Sequence, residues 1–362
     1  MQMVSLVDRL VAGGCIAPST LASALRRSRV SWRRWPQALA LGLSGVAVQP
    51  LAWLQSLLYS RALRQVELPS DPVIVIGHWR SGTTYLHQLM AADPQVATAR
   101  NALTVAPQAA LLLKPLLVPL LRRWMTATRP IDAVPWGPMD PQEDEIGLAR
   151  LSFDTNMAGV AFPQEYLFHF QRCVLSSTPG FRRQFLRFCR LTLLHEGSDK
   201  SHWLIKNSAH TARVPLLLEL FPKARFVLLQ RDPVDSIRSL VQVKQNLADL
   251  VGLQHAPDAV RQVEETVLAH HLLMDAFEAA RTLIPAGRLV EVSYDALLEE
   301  PLTSVERIYS TLSIPGWQQA KPWIAARVEQ AKHYRARPVQ LEPKAEQRLQ
   351  ALMKPAVTPS AS

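Results

Sequence analysis

Cysteine is scarce in this sequence, and two other features that often define a protein class are missing. The 3 cysteines form no Cys-x-x-Cys pair, so neither a disulfide framework nor a zinc site is supported. No six consecutive residues are basic, which argues against a nucleic-acid-binding tail. No internal repeat or long linker divides the chain. We therefore expect a protein of the reducing cytoplasm that binds no nucleic acid.

The length and net charge of the chain limit its domain organisation and the kind of partner that it binds. The 362 residues are enough for one large domain, and a hydrophobic fraction of 48% is enough to fill its core. A formal net charge of +10 favours anionic partners, such as acidic lipid headgroups or a doubly phosphorylated nucleotide. The simplest partition has a helical N-terminal extension over residues 1–68, one domain over residues 69–354 and a disordered tail over residues 355–362.

The N-terminal extension contains a long apolar stretch, residues 38–58. It reaches the ~20 residues that a bilayer core requires, but Gln49 and Pro50 at its middle predict two broken helices. Three placements stay open: a collar packed on the domain, which we prefer, peripheral contact with the inner face of a membrane, and a true span. A second apolar stretch, residues 109–121, is interrupted by a lysine and two prolines, and we expect it to line an apolar acceptor entrance.

The segment around residues 73–87 has the strongest pattern in the chain. Residues 73–76 are four apolar β-branched residues, which predict a strand buried on both faces. Leu86, Leu89 and Met90 then repeat at helical spacing. The glycine-containing segment between them must be a strand-to-helix turn, where the first N–H groups of the helix have no internal partner and favour an anion. We therefore predict a phosphate-binding turn.

The amino-acid sequence of this turn differs from that of the phosphate-binding loop in a nucleoside triphosphatase. Gly77 and Gly82 keep the glycine spacing of a Walker A loop, but Thr83 stands in place of its lysine and the cation is Arg80. The stretch Gly-His-Trp-Arg-Ser-Gly-Thr-Thr resembles the 5′-phosphosulfate loop of sulfotransferases that use 3′-phosphoadenylyl sulfate (PAPS). It is similar to the loop of a bacterial subgroup that has the sequence Gly-His-x-Arg-Ser-Gly-Thr-Thr. In that family a Lys or Arg precedes Ser-Gly-Thr-Thr.

Four further residues carry the resemblance, which covers roughly residues 72–312. Arg231, followed eight residues later by Ser239, is similar to the family's 3′-phosphate signature. Lys206 precedes Arg231 at close to the family's spacing for the lysine that contacts the bridging oxygen and the transferring sulfuryl group. Tyr294 matches the tyrosine that approaches the nucleotide, although the segment around it is less specific. The resemblance implies a nucleotide site and no metal. Its residues are Arg80, Ser81, Gly82, Thr83, Thr84, Tyr85, Arg231, Ser239 and Tyr294.

The catalytic base stays open among Glu143, Glu145 and His210. A capping-box interpretation puts Asp140 at the N-cap of a helix and Glu143 at its third position. Three consecutive acids exceed what capping requires, and the stretch also resembles an acid-rich segment of a bacterial sulfotransferase subgroup. One of the two glutamates is then a base for the acceptor hydroxyl. The family's Lys-Thr-His is absent, so His210 is either a base or the cap of a helix that begins near residue 211.

These patterns predict an α/β fold with a central parallel sheet flanked by helices, a P-loop-like turn and a helical N-terminal extension. The polar loops after residues 76, 206 and 230 follow three predicted strands and should open on one crevice. Such a crevice requires the Arg80 turn and Arg231 to share one pocket.

Three functions are compared. The first is a sulfotransferase that moves a sulfuryl group from PAPS to a hydroxyl or amine of a hydrophobic or carbohydrate acceptor, with Lys206 neutralising charge on the leaving oxygen. The second is a kinase or nucleotidase that uses ATP and magnesium, with Asp232 as metal ligand. The third is a non-enzymatic membrane-associated binding protein. The sequence leaves the acceptor and the oligomeric state open.

Overall fold

The fold is described from a computed structural model for residues 12–126, 128–129, 134–197, 199–332 and 339–354. The tail predicted for residues 355–362 lies outside these residues, as does the start of the N-terminal extension. The three cysteines are free, and Cys173 and Cys189 are buried.

A five-stranded parallel sheet forms the centre of the molecule, with the strand order β2-β3-β1-β4-β5. The strands are β1 Val73–Ile76, β2 Val96–Ala97, β3 His202–Lys206, β4 Arg225–Gln230 and β5 Leu289–Ser293. Central strand β1 pairs with β3 on one side and β4 on the other, with Val75 opposite Lys206 and Val227. The predicted parallel sheet is confirmed. The apolar β-branched run of β1 forms a strand that is buried on both faces, as its composition predicts.

The α-helices surround this sheet, and short 3-10 and π turns connect several of them. The helices in chain order are α1 Pro18–Arg27, α2 Trp35–Gln65, α3 Thr83–Met90, α4 Asn101–Thr104, α5 Ala110–Trp124, α6 Asp144–Leu151, α7 Met157–Ala161, α8 Tyr166–Phe170, α9 Pro179–Glu196, α10 Val214–Leu220, α11 Pro233–Val251, α12 Ala259–Arg281, α13 Tyr294–Glu299, α14 Pro301–Thr311, α15 Trp317–Ala331 and α16 Pro343–Met353.

Two apolar layers cover the two faces of the sheet. Ile74 and Ile76 of β1 face the layer that contains α9, where Phe185 is fully buried. Val73 and Val75 face the opposite layer, which α3 and α14 complete. Alternation along β1 therefore buries both sets of side chains, so the strand has no solvent face. This fixes the position of the turn that follows it.

The apolar stretch of residues 38–58 forms one helix, so the prediction of two broken helices was wrong. Pro50 lies inside α2. Both Pro50 and Val46, whose carbonyl loses its helical partner at the proline, are exposed, so the loss occurs where solvent can compensate. By length and composition alone, the segment Trp32–Gln65 is the one helical segment among the described residues that could cross a membrane.

The inner side of α2 is attached to the rest of the protein. A Cβ on Gly45 would lie 2.0 Å from the carbonyl oxygen of Ile16, so the two backbones touch. Buried Gln55 donates to the carbonyl of Pro107 (3.0 Å) and accepts from the backbone N–H of Leu111 (2.8 Å). These bonds fix α2 against the start of α5.

The helix that carries the acidic residues begins later than the capping-box pattern predicts. It starts at Asp144, and Glu143 rather than Asp140 occupies the N-cap position, without a side-chain capping bond. The residues before it pair with another segment instead, because Asp140 accepts from the Asn101 N–H (3.1 Å) and Gln142 donates its N–H to the Ala99 carbonyl (2.8 Å). Tertiary pairing therefore overrides the local capping signal and leaves the Glu143 side chain free to turn elsewhere.

Candidate active site

The carboxyl ends of β1 and β4 define a crevice in the middle of the sheet. The chain leaves β1 toward β3 and β2 on one side, whereas it leaves β4 toward β5 on the other. Ligands of open parallel sheets collect where the connections diverge in this way. The turn after β1 and the residues after β4 therefore flank the expected ligand position.

Three residues with positive φ shape the turn after β1, namely Gly77 (φ 136°), Arg80 (φ 70°) and Gly82 (φ 95°). The glycines are required here by close approach, because a Cβ on Gly77 would lie 2.4 Å from the Leu229 carbonyl oxygen and one on Gly82 would lie 2.5 Å from the Tyr294 ring. Arg80 adopts a left-handed conformation that a side chain rarely tolerates, and such strain is concentrated at functional sites.

The turn and the end of β4 are in direct contact. Arg231 donates from Nη1 to the carbonyl oxygen of Arg80 (3.2 Å), and Arg80 donates from Nε to the hydroxyl of Ser239 (3.0 Å). The Arg231 guanidinium also lies over the Tyr294 ring, 4.6 Å from its centre. The Arg80 turn, Arg231 and Ser239 thus share one pocket, as the sequence required.

One large cleft of about 2520 Å³ opens at this point. Eight of the nine predicted nucleotide-binding residues line it, together with Lys206, Glu143 and Glu145. Ser81 does not line the cleft, being buried under the turn, and its hydroxyl has no hydrogen-bond partner among the described residues. The eight are Arg80, Gly82, Thr83, Thr84, Tyr85, Arg231, Ser239 and Tyr294.

Lys206 and Glu143 form a pair at the floor of the cleft. Lys206 ends β3 and donates to Oε2 of Glu143, and Oε1 of Glu143 accepts from the backbone N–H of Ser208 (3.1 Å). Lys206 is buried, whereas Glu143 is only half-buried. Gly147 allows this approach, because a Cβ there would lie 2.3 Å from the Phe188 ring and would push α6 away from α9.

Glu145 is held in a buried network instead. Its carboxylate accepts from Asn207 Nδ2 (2.6 Å), from Arg213 Nη1 (3.2 Å) and from the backbone N–H of Asn156. Burial alone would raise the pKa of Glu145, but the Arg213 charge and these hydrogen bonds together hold that pKa below its usual value. The residue is 2% exposed, so it anchors α6 to the segment after β3.

His210 lies beside this network and does not line the cleft. It is fully buried, its Nε2 is 3.2 Å from Asp144 Oδ2, and its Nδ1 is 3.3 Å from Arg213 Nη1. It does not cap a helix, because the cap of the 3-10 turn Ser208–Arg213 is Asn207, which accepts from the Ala209 N–H. Its contacts are those of a side chain inside the protein.

Most of the other residues that line the cleft were not identified from the sequence, and Lys244 and Ser208 are two of them. Lys244 Nζ donates to the Thr266 hydroxyl (3.1 Å) and lies 3.2 Å from the centre of the Tyr166 ring. A signal for it exists, because Lys244 takes an apolar-face position in the helical repeat of α11, among residues such as Val241. Ser208 carries no such signal, and its buried hydroxyl lacks a partner among the described residues.

Asp232, the metal ligand of the kinase hypothesis, has another role in the structure. It is the N-cap of α11 and accepts from the Asp235 N–H (2.9 Å). No group of three or more His, Cys, Asp or Glu residues suited to a metal occurs among the described residues.

Comparison with known proteins adds a family and a fold. A sequence model of the sulfotransferase family matches residues 72–319. The omega-hydroxy-beta-dihydromenaquinone-9 sulfotransferases Stf3 of Mycobacterium bovis and Mycobacterium tuberculosis are each 24% identical to this chain over 321 residues, which are 87% of this chain and 81% of theirs.

Two solved structures share the architecture. Sulfotransferase STF9 from Mycobacterium avium superposes with a TM-score of 0.63 at 20% identity, over 93% of this chain and 94% of that chain. Sulfotransferase STF1 from Mycobacterium tuberculosis H37Rv gives a TM-score of 0.64 at 20% identity, over 90% of this chain and 88% of that chain. At this identity the likeness establishes the fold.

Proposed function

Because this chain belongs to the sulfotransferase family, we propose that it transfers a sulfuryl group from PAPS to a hydroxyl group on an apolar, lipid-like acceptor. The observation that carries the choice of donor is the contact between two anion-binding elements. The Arg80 turn and the Arg231–Ser239 pair are hydrogen-bonded to each other at one end of the cleft. A nucleotide with phosphates at both its 5′ and 3′ positions engages both elements at once.

The residues of the turn fit the 5′-phosphosulfate. Thr83 and Thr84 begin α3 and line the cleft, so the positive end of the helix opens on it. The Ser208 hydroxyl, which lines the cleft and has no partner among the described residues, provides a further donor. Arg231 and Ser239 hold the 3′-phosphate in this proposal, and Tyr294 lies beside them under the Arg231 guanidinium.

Glu143 is the base that we assign, since it lines the cleft and contacts Lys206. It accepts the proton of the acceptor hydroxyl while the acceptor oxygen forms a bond to sulfur. The bond between sulfur and the bridging phosphate oxygen breaks, and Lys206 neutralises the charge that develops on that oxygen. Adenosine 3′,5′-bisphosphate and a sulfate ester leave, and Glu143 returns its proton to solvent. Glu145 and His210 act in positioning, not in proton transfer.

The acceptor class is inferred from an apolar wall of the cleft. Apolar side chains line the cleft there, contributed by α7 and the end of α11. They are Met157, Val160, Leu247, Leu250 and Val251. The two Stf3 relatives are named for a hydroxylated dihydromenaquinone, which is a lipid-like alcohol. An acceptor with a hydroxyl head and an apolar body suits this wall.

Nucleotide titration tests the donor. The purified protein should bind adenosine 3′,5′-bisphosphate equally well with and without EDTA, as measured by calorimetry. Arg231→Ala should weaken this binding by about tenfold to a hundredfold, because a charge-assisted contact is lost. The same variant should bind adenosine 5′-monophosphate almost as well as the original protein, since that ligand has no 3′-phosphate.

Arg238→Ala is the matched control, because Arg238 also lines the cleft but is paired with Glu346 (2.7 Å). It should change neither affinity by more than a small factor. The proposal fails if EDTA abolishes binding, or if Arg231→Ala weakens both nucleotides equally. Transfer of labelled sulfate from PAPS to a long-chain alcohol then tests the acceptor class separately.

A further inference from the structure

Helix α2 is apolar on two opposite sides. Its inner side packs on the protein through residues such as Leu41 and Ala52. Its outer side should be polar in a helix that faces water, yet it exposes large apolar side chains at intervals of three and four residues along its length. They are Leu39, Leu43, Val46, Trp53, Leu54, Leu57 and Leu58. Trp53 is 67% exposed and Leu57 is 75% exposed, so the stripe lies open.

The neighbouring helix α5 extends the apolar surface. It is joined to α2 through the Gln55 hydrogen bonds and exposes Leu116, Leu120 and Trp124. Trp32 and Trp35, at the start of α2, are also exposed. Exposed apolar surface of this extent marks an interaction site, and tryptophan at its margins is typical of the interface between lipid and water. We call the outer sides of α2 and α5 the docking face.

The charged residues of α2 and α5 are all basic, whereas the exposed Asp249 pairs with Arg34 just before α2 (3.6 Å). The sequence has no acidic residue between Asp8 and Glu67, and none between Asp93 and Asp132. Arginines stand at the ends of both helices, and six of them are exposed with no carboxylate partner among the described residues. They are Arg29, Arg33, Arg61, Arg64, Arg122 and Arg123. Such a border attracts a surface with negative charge.

We propose that the docking face binds the surface of an anionic lipid bilayer, with α2 lying in the plane of the membrane. The apolar stripe enters the boundary between headgroups and acyl chains, and the arginines contact the phosphates. This is the arrangement of an interfacial amphipathic helix, which combines apolar burial with attraction to anionic headgroups.

Two other occupants fit the face less well. A second copy of this chain would place the same patch against itself, which would bring two borders that are rich in arginine together. A membrane span would require α2 to leave the protein, but its inner side is fixed by the Gly45 backbone contact and the buried Gln55 bonds. Anionic lipid headgroups would neutralise the arginines while α2 stays packed on the protein.

The docking face lies next to the cleft. Met125 follows Trp124 directly and lines the cleft, as does Thr126. On the inner side of α2, Gly13 separates Leu41 from Val251 of the apolar wall, since a Cβ there would be 3.7 Å and 2.9 Å from them. Docking would therefore bring a membrane-dissolved acceptor close to the cleft, a consequence that rests on the proposed function.

Vesicle sedimentation tests the proposal without any substrate. The full chain should pellet with vesicles of phosphatidylcholine and phosphatidylglycerol, less with phosphatidylcholine alone, and less at high salt. The variant Leu43→Gln/Trp53→Gln/Leu57→Gln should lose tenfold or more of its partition into vesicles, because three exposed apolar groups no longer enter the lipid. All three sites are exposed, so the fold should persist.

Leu283→Gln/Trp323→Gln is the matched control, since these residues are 55% and 58% exposed elsewhere on the protein. It should bind vesicles like the original chain. Circular dichroism and the affinity for adenosine 3′,5′-bisphosphate should be unchanged in both variants, which separates a failure of docking from a failure of the proposed function. A monomer that binds no vesicle, a dimer that the triple variant dissociates, or a protein that only detergent releases would overturn the proposal.

Discussion

Glu143 and Glu145 stand two positions apart in the sequence, yet the structure gives them different surroundings. Glu143 is half-buried at the cleft and contacts Lys206. Glu145 is buried and meets the Arg213 guanidinium. A base for the acceptor hydroxyl must reach the substrate, whereas a buried partner of an arginine chiefly stabilises the fold. The two glutamates can therefore be separated by experiment.

Glu143→Gln should abolish turnover while the protein stays folded. Glutamine keeps the shape of the side chain but cannot accept the hydroxyl proton, and such a loss typically costs 10²–10⁴-fold in rate, roughly 3–5 kcal/mol of the barrier. Steady-state transfer from PAPS should show a kcat that falls far more than the folded fraction does, because the chain stays folded although the lost pair with Lys206 lowers its melting temperature.

Glu145→Gln should give the opposite pattern. Removing its charge leaves Arg213 buried without an ionic partner, and breaking a buried pair costs about 3–5 kcal/mol of stability. Urea unfolding should reveal this loss, with residual activity in proportion to the folded fraction. If Glu145→Gln instead kept its stability and lost turnover, and Glu143→Gln stayed active, Glu145 would be the base.

At the residue scale, the sequence identified Arg80 and Arg231, the arginines proposed to bind the nucleotide, better than the rest of the cleft. Arg80 and Arg231 were found because they follow strands at a spacing that resembles a known family, and the structure places them in contact. Lys244 was missed because its apolar-face position in α11 indicates burial but does not indicate that it lines a site. The sequence also left the identity of the catalytic base open. Glu145 is buried against Arg213, which lies 68 residues later in the chain, so a local pattern cannot show this contact.

In the proposed function, nucleotide binding depends on the turn between β1 and α3. Gly82 has φ 95° and touches the Tyr294 ring closely. An alanine there incurs the cost of a left-handed backbone, about 1–2 kcal/mol, and must also displace the ring. Gly82→Ala should therefore reduce both the free energy of unfolding and the affinity for adenosine 3′,5′-bisphosphate, measured by urea titration and calorimetry.

Gly287 supplies the control for this turn. Its φ of 77° is also left-handed, but nothing lies within 4 Å of the Cβ that an alanine would add. Gly287→Ala should reduce stability by a similar backbone cost and leave nucleotide affinity intact. Equal losses of affinity in the two variants would mean that the Tyr294 contact does not shape the site.

At the element scale, strands were predicted well and helix limits poorly. The apolar β-branched run of β1 predicts a buried strand, and the structure covers both faces of that strand. Local rules failed where tertiary contacts intervened. Pro50 did not break α2, and Asp140 did not cap α6 because its carbonyl pairs with Asn101. Such pairing joins segments far apart in the chain, so a local pattern cannot contain it.

At the scale of the whole molecule, charge is distributed unevenly. The formal net charge of +10 is the part that composition reveals. The structure shows where the charge lies. Arg80, Lys206 and Arg231 line the cleft, and arginines that have no carboxylate partner among the described residues border the docking face. Under the two proposals, both surfaces bind phosphate groups, one from a nucleotide and one from lipid headgroups. Their affinities should therefore both fall with rising salt.

Titration of Lys244 makes the free energy of unfolding depend on pH. Burial lowers the pKa of Lys244 from 10.5 to about 7, and the Glu265 charge opposes this shift only in part. Between these two values the unfolded chain binds more protons at this residue than the folded protein does. The free energy of unfolding therefore rises with pH across that window, by up to about 1.4 kcal/mol per pH unit from this group.

Replacing this lysine should remove that dependence. Lys244→Met keeps an apolar stem of similar length, so its gain in stability over the original protein should be largest near pH 7 and should shrink as pH rises toward the ordinary pKa of lysine. Urea unfolding across this range measures the difference, in which all other titrating groups cancel. Lys344→Met, at an exposed position of α16, should show a difference that does not vary with pH. Parallel stability curves for Lys244→Met and the original protein would mean that the ammonium group keeps its charge in the folded state, stabilised by Tyr166 and Thr266.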